Sequence, residues 1–312
     1  MCQLIMTLMD DNCPVQFLAW ETPMDATTRI EKSLFEAMAR AESRAGPPRL
    51  AAAVRHAVFP KGSRIRPRLC LAVAEACGAT DTAVVDAAAA AVELLHCASL
   101  VHDDLPCFDD SPTRRGRPTV HIAFGEPLAV LAGDALIVLA FETIARGAAC
   151  TPSVLPGLLL SIARAAGMPF GIAAGQAWEC EPRIDLAQYH RAKTGALFVA
   201  AATAGAIAAG TDAGTWHAFG ECLGQAYQVA DDIRDAAGSA EDLGKPIHQD
   251  AALGRPNAVQ RMGIAGAVDW LEELVAEAVH AIPACPGAND LRGLIASEAQ
   301  RLLPKELSRH AA

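Results

Sequence analysis

The stretch AAAAAVELLHCASLVHDDLPCFDDSPTRRGRPT, residues 87–119, decides how the chain is read. Its first half is a long apolar segment with helical rather than alternating spacing, rich in alanine, the best helix former. Pro106 cannot continue that helix comfortably, so Asp103, Asp104, Asp109 and Asp110 gather at or just past its C-terminal end. That is the negative end of the helix dipole, where acids repel and raise one another's pKa. Something cationic has to compensate, and Arg114, Arg115 and Arg117 follow at once.

A second acidic group lies far downstream in FGECLGQAYQVADDIRDAAG, residues 219–238. Phe219, Cys222, Ala226, Val229 and Ile233 form one apolar stripe at helical spacing. Gly224, Gln228, Asp231 or Asp232, and Asp235 form another, with Asp231 and Asp235 on one face through the i, i+4 relation and Asp232 a small rotation away. Each group alone is consistent with an exposed acidic helix end. Together they offer hard oxygen donors suited to Mg²⁺, which favours one or two carboxylates plus substrate phosphates. Arg114 and Arg115 can fork onto phosphate oxygens.

The rest of the chain agrees with a helical reading. Its 312 residues are 52% hydrophobic, 20% charged and 5% aromatic, enough for a core and poor in what a β-sandwich wants. A net charge of −10 excludes a basic nucleic-acid surface, and a polyanionic substrate would need recruited cations. Helices are expected over roughly 25–44, 48–58, 64–77, 81–104, 119–124, 127–148, 152–168, 169–179, 185–210, 213–236, 255–263, 265–281 and 288–302, with Asp25, Thr27 or Thr28 capping the first. No composition shift divides them, so residues 24–312 are expected to form a single all-α domain. Loops 105–118 and 237–254 each follow an aspartate cluster.

Residues 1–23 read as a loose extension rather than a signal peptide: Asp10 and Asp11 break the apolar run and no basic residues precede it. Met24 is an alternative start. The charge-free run between Lys193 and Asp212 is Ala/Gly/Thr-rich, so a buried helix is expected and no membrane span. The ten cysteines show no C-x-x-C pair; a reducing, cytoplasmic compartment and no zinc site are expected.

The motifs DD-x4-D, RRG-x-PT, KTG, Q-x-x-DD-x-x-D and GKP occur in that order. They are Asp103–Asp104…Asp109, Arg114–Arg115–Gly116, Lys193–Thr194–Gly195, Gln228–Asp231–Asp232–Asp235 and Gly244–Lys245–Pro246. From about residue 25 onward the chain resembles the trans-isoprenyl diphosphate synthases, and among them bacterial geranylgeranyl diphosphate synthases. The N/D-S/T-E second motif of class I terpene cyclases is absent.

The resemblance implies the isoprenoid synthase fold, a helical bundle around a deep central cavity, as a homodimer. It implies Mg²⁺-dependent condensation of isopentenyl diphosphate with an allylic diphosphate (dimethylallyl, geranyl or farnesyl). In that reaction the allylic C–O bond ionises, the isopentenyl double bond attacks, and a proton is lost. Carried over by matched motif, Asp103, Asp104, Asp109, Asp231, Asp232 and Asp235 would hold Mg²⁺. Arg114, Lys193, Thr194, Gln228 and Lys245 would contact the allylic diphosphate. Arg64, His96 and Arg115 would contact isopentenyl diphosphate. Read without the motif, His96 is an ordinary core histidine and Lys193 a solvated helix-face charge.

Two departures stand out. Ser63 occupies the place of the usual lysine in GGKR, with Lys61 nearby, and GKPIHQDAALGRPNAV replaces the usual stretch after GKP, with Asp250 kept. Product length is expected to depend on the helix ending at Asp103. Ala98 lies about 7–8 Å below it at 1.5 Å per residue, and Ser99 is next. Both are small, and Leu94 and Leu95 are candidates for the floor. With the Pro106–Cys107 insertion inside the first motif, this resembles a C20-forming enzyme. A farnesyl diphosphate synthase and a non-catalytic partner subunit are the alternatives. Small residues that merely let two helices pack closely are the plain reading of Ala98 and Ser99.

Overall fold

The computed structural model describes residues 25–42, 46–59, 62–237 and 257–300. The expected extension at 1–23, and with it Lys61, Lys245 and Asp250, lie outside them. The described chain is built from helices: α1 (Ala26–Ala41), α2 (Pro48–Val58), α3 (Ile65–Ala76), α4 (Thr82–Asp103), α5 (Val120–Phe124) and α6 (Glu126–Gly147). They continue as α7 (Leu155–Ala166), α8 (Ile172–Ala177), α9 (Leu186–His190), α10 (Ala196–Ala208), α11 (His217–Ala237), α12 (Ala258–His280) and α13 (Ala288–Gln300). Short 3₁₀ turns join several of them.

Local chemistry sets the ends. Asp25 caps α1, accepting from the backbone N–H of Thr27 and Thr28 at 2.9 and 3.1 Å, and Asp81 caps α4 in the same way. The expected break near residue 264 is a kink in α12, where Gly263 (φ 75°, ψ 170°) leaves the helical conformation.

Helix α4 is the spine. It is buried along almost its whole length, and its alanines 87–91 let neighbours approach closely. Helix α6 packs on it most extensively, with α1, α3 and α10 against its other sides. One apolar core runs from Ile30 in α1 to Ile295 in α13. A smaller one joins Val229 and Ile233 of α11 to Leu271 and Leu274 of α12. Helix α10, the charge-free run, is buried on nearly every side, as expected.

Residues Thr82–Asp103 and Glu126–Cys150 are each long and apolar enough to cross a membrane by length and composition. The first is buried in the protein. The second covers α4 with one face and leaves Val130, Leu131 and Val138 exposed on the other.

Two elements depart from expectation, one in the expected loop 105–118 and one in an expected helix. A hairpin pairs β1 (Thr113–Arg114) with β2 (Arg117–Pro118). Both central residues have positive φ, Arg115 at 53° and Gly116 at 72°, as a two-residue hairpin turn of right-handed twist demands. The expected helix 185–210 is interrupted by a π-helical turn at Arg191–Gly195. Such turns recur at functional sites.

Candidate active site

Helix α4 ends at Asp103 and α11 carries Asp231 and Asp235, and these helices flank one cavity of about 340 Å³. Asp103, Asp109, Asp231 and Asp235 all line it, with Arg66, Arg114, Arg115 and Lys193. Two acidic rows more than a hundred residues apart in sequence thus share one hollow.

The remaining two acids do not line it. Asp104 is 3% exposed and holds Arg114, whose Nε and Nη2 donate to Oδ1 at 3.0 and 2.5 Å. It borders a smaller neighbouring cavity of about 40 Å³. Asp232, 2% exposed, accepts from Gln228 Nε2 at 2.9 Å and from the Ala258 backbone N–H at 2.8 Å. It ties the start of α12 to α11. Of the six carboxylates expected to hold or support Mg²⁺, four line this cavity, and one helical step of about 100° turns Asp104 and Asp232 away from it.

Burial pushes the Asp103 and Asp104 carboxyls up, against the lowering pull of Lys193 and of Arg114 respectively. Lys193 Nζ donates to Asp103 Oδ1 at 3.3 Å and also bonds Glu179. Tyr189 donates to the same Glu179 oxygen at 2.6 Å. Gln176 bonds Asp103 Oδ1 at 3.1 Å and the Ser99 carbonyl at 3.0 Å.

The π-helical turn widens the register so that Lys193 and Thr194 both line the cavity. Thr194 donates to Gln228 Oε1 at 2.6 Å. That contact needs α11 close: a Cβ on Gly224 would sit 2.6 Å from the Gly195 Cα.

The arginines sort differently from expectation. Arg64 is 3% exposed and engaged on every side, donating to Glu93 at 2.6 Å, to Glu31 at 3.0 Å and to the Val58 carbonyl at 2.9 Å. It lines the cavity while these bonds make it a clamp at the start of α3. Arg66, by contrast, has capacity left. Its Nε is buried without a partner, and its guanidinium lies over Phe198 and Tyr227, 4.8 and 5.4 Å from the ring centroids. Sequence reading missed Arg66, together with Gln176, Glu179 and Tyr189.

Arg115 lies over the backbone of Gly62, where a Cβ would be 2.5 Å from the Arg115 Cζ. His96 faces the same hollow, and burial plus the surrounding Arg66, Arg115, Arg114 and Arg64 hold its pKa well below the usual range. It enters as a neutral imidazole among cations.

Of the expected product-length residues, Ser99 lines the cavity, with Leu100 and Ile172 beside it. Ala98, Leu94 and Leu95 do not line it; they are buried in the apolar core around α4. For Ala98 the reason is rotation: residues four and seven before Asp103 share its face, whereas five before is turned by about 140°.

Among the described residues no three acidic, histidine or cysteine side chains gather tightly enough to hold a metal by themselves. Oxygen-only donors in two separated rows, interleaved with cations, nevertheless fit Mg²⁺ held jointly with phosphates. Such a donor set suits a polyphosphate anion with divalent counter-ions.

Residues 47–281 match the family model described as Polyprenyl synthetase. Curated relatives include the geranylgeranyl diphosphate synthases of Cereibacter sphaeroides and Rhodobacter capsulatus. They are 52% and 50% identical over 90% of this chain and 97% of each relative. The geranyltransferase of Helicobacter pylori, solved with magnesium and isoprenyl diphosphate, superposes with a TM-score of 0.74 at 26% identity, covering 90% of this chain and 99% of that one. The acidic rows, the cavity-lining cations and the helical frame thus agree with what the match shows: the chain belongs to the polyprenyl synthetase family.

Proposed function

We propose that this protein is a geranylgeranyl diphosphate synthase, extending allylic diphosphates with isopentenyl diphosphate to a C20 product. The observation that carries the chemistry is the single cavity shared by Asp103, Asp109, Asp231 and Asp235. The relatives' names and the small Ser99 in its wall support the C20 length.

Asp103 and Asp109 on one side and Asp231 and Asp235 on the other would hold Mg²⁺. Bound there, magnesium supplies Lewis-acid charge to a diphosphate leaving group. Arg114 and Lys193 now neutralise Asp104 and Asp103. With substrate bound they place positive charge where the leaving diphosphate accumulates negative charge. Thr194 and Gln228 orient it. Arg66, Arg115 and neutral His96 receive the isopentenyl diphosphate, which positions its double bond for attack on the allylic carbon. Leu100 and Ile172 keep water from the cation. The proton lost after attack goes to the departing diphosphate.

The open apolar face of α6, with Val138 at 66% exposure, supports a homodimer. The described cysteines are all thiols, which supports a cytoplasmic setting. The test is the purified chain with Mg²⁺, isopentenyl diphosphate and each allylic primer, followed by chromatography of the products. A C20 product is expected. A C15 end point would make it a farnesyl diphosphate synthase, and no product without a second protein would make it a partner subunit. Sedimentation tests the dimer.

A further inference from the structure

We propose that His56, on α2, is a positioning residue that locks the arginine hairpin and so sets Arg115 for the isopentenyl diphosphate. Arg117 Nη2 donates to His56 Nδ1 at 2.9 Å, and His56 Nε2 lies 2.8 Å from the Pro118 carbonyl. Arg117 is a donor only, so Nδ1 must be the bare nitrogen and Nε2–H must donate to Pro118. One ring therefore grips both residues of β2. Arg117 Nη1 also donates to the Phe59 carbonyl at 2.8 Å, at the end of the same helix. The ring is held in place edge-on against Phe124, 5.4 Å between centroids.

The clamp matters because of what the hairpin carries. Arg115 sits at φ 53°, which a residue with a side chain adopts at a cost and keeps only where its surroundings hold it. β2 is one arm of that turn. Arg114, on the other arm, is separately held by two bonds to Asp104. Releasing β2 therefore frees Arg115 while Arg114 stays. The same clamp fixes the carbonyl of Phe59, shortly before Gly62, the residue on which Arg115 rests. His56 lines the smaller cavity with Arg114, Arg115 and Arg117 and does not line the larger one.

The inference rests on the proposed roles of Arg115 and Arg114 and is tested by separating the two substrates. His56→Ala is expected to raise KM for isopentenyl diphosphate at least fivefold, with kcat and the allylic KM within twofold. Arg117→Ala should do the same, and the double variant should be no worse than either single one, because each removal breaks one clamp. His56→Asn keeps an acceptor at the Nδ1 position and should return KM to within twofold of the parent; His56→Gln should not. If His56→Ala does not fold, the Asn–Gln contrast decides. An unchanged isopentenyl KM, or equal changes in both substrates' KM, overturns the proposal. A parent enzyme without prenyl transfer overturns the functional reading instead.

Discussion

Replacing Arg64 and Arg66 in turn separates a structural cation from a binding one. Arg64 and Glu93 side chains are each 2% exposed and bond at 2.6 Å. Removing one partner of such a buried pair leaves an uncompensated charge and costs about 3–5 kcal/mol. Arg64→Met should therefore lower the melting temperature by several degrees or more and leave the KM for isopentenyl diphosphate near the parent value. Arg64→Met with Glu93→Leu should recover much of the loss, because replacing both members with apolar groups is often neutral. Glu31, also bonded to Arg64 at 3.0 Å but more exposed, keeps that recovery incomplete. Arg66 lines the hollow, and its buried Nε has no hydrogen-bond partner. A hydrogen bond to a charged group contributes about 1.5–3 kcal/mol. Arg66→Met should thus raise that KM roughly 10- to 100-fold, at about 1.4 kcal/mol per decade. Thermal melts and initial-rate kinetics with varied isopentenyl diphosphate read the two effects. If Arg64→Met raised the KM as much as Arg66→Met while the melting temperature stood still, this division of labour would be wrong.

Three further outcomes follow from the same geometry. Ser99→Phe should shorten the main product, read by chromatography, whereas Ala98→Tyr should chiefly destabilise by about 1–3 kcal/mol through overpacking, because Ala98 is 1% exposed and off the cavity. Gly62→Ala should raise the isopentenyl KM by displacing Arg115, with little change in melting temperature. Burial holds His96 well below its ordinary 6.5 and His190 down to about 4, so the unfolded chain binds more protons than the native one as pH falls. Each should therefore lower stability as pH falls through 6.5, with a slope that approaches about 1.4 kcal/mol per pH unit, measured by denaturant unfolding between pH 7 and 5.

What could be read in the sequence follows physical lines. Helix α2 begins and ends where Pro48 and the following Phe59–Pro60 place it, because proline at the first turn and before the next segment leaves few options. The two aspartate groups were legible because apolar periodicity stops at charge. The π-helical turn at Arg191–Gly195 was not, since a single wide turn barely disturbs a pattern of small apolar residues. The hairpin was hidden because two-residue strands have no alternation to display. Its one signal is Gly116 beside a pair of arginines. Arg64 and Arg66 are near neighbours in sequence and chemically identical; only the placement of Glu31 and Glu93, on two other helices, decides which is neutralised. Ser99 and Ala98 could have been told apart by rotation alone, since only Ser99 shares a helical face with His96 and Asp103.

The binding of an allylic diphosphate alone, by calorimetry with Mg²⁺ and then with a chelator, most directly tests whether the two acidic rows hold one anion through shared metal ions. Tight binding is expected only with Mg²⁺, and it should fall at least tenfold in both Asp103→Asn and Asp231→Asn. Binding that persists in the chelator, or that either variant leaves intact, contradicts a diphosphate held between the ends of α4 and α11.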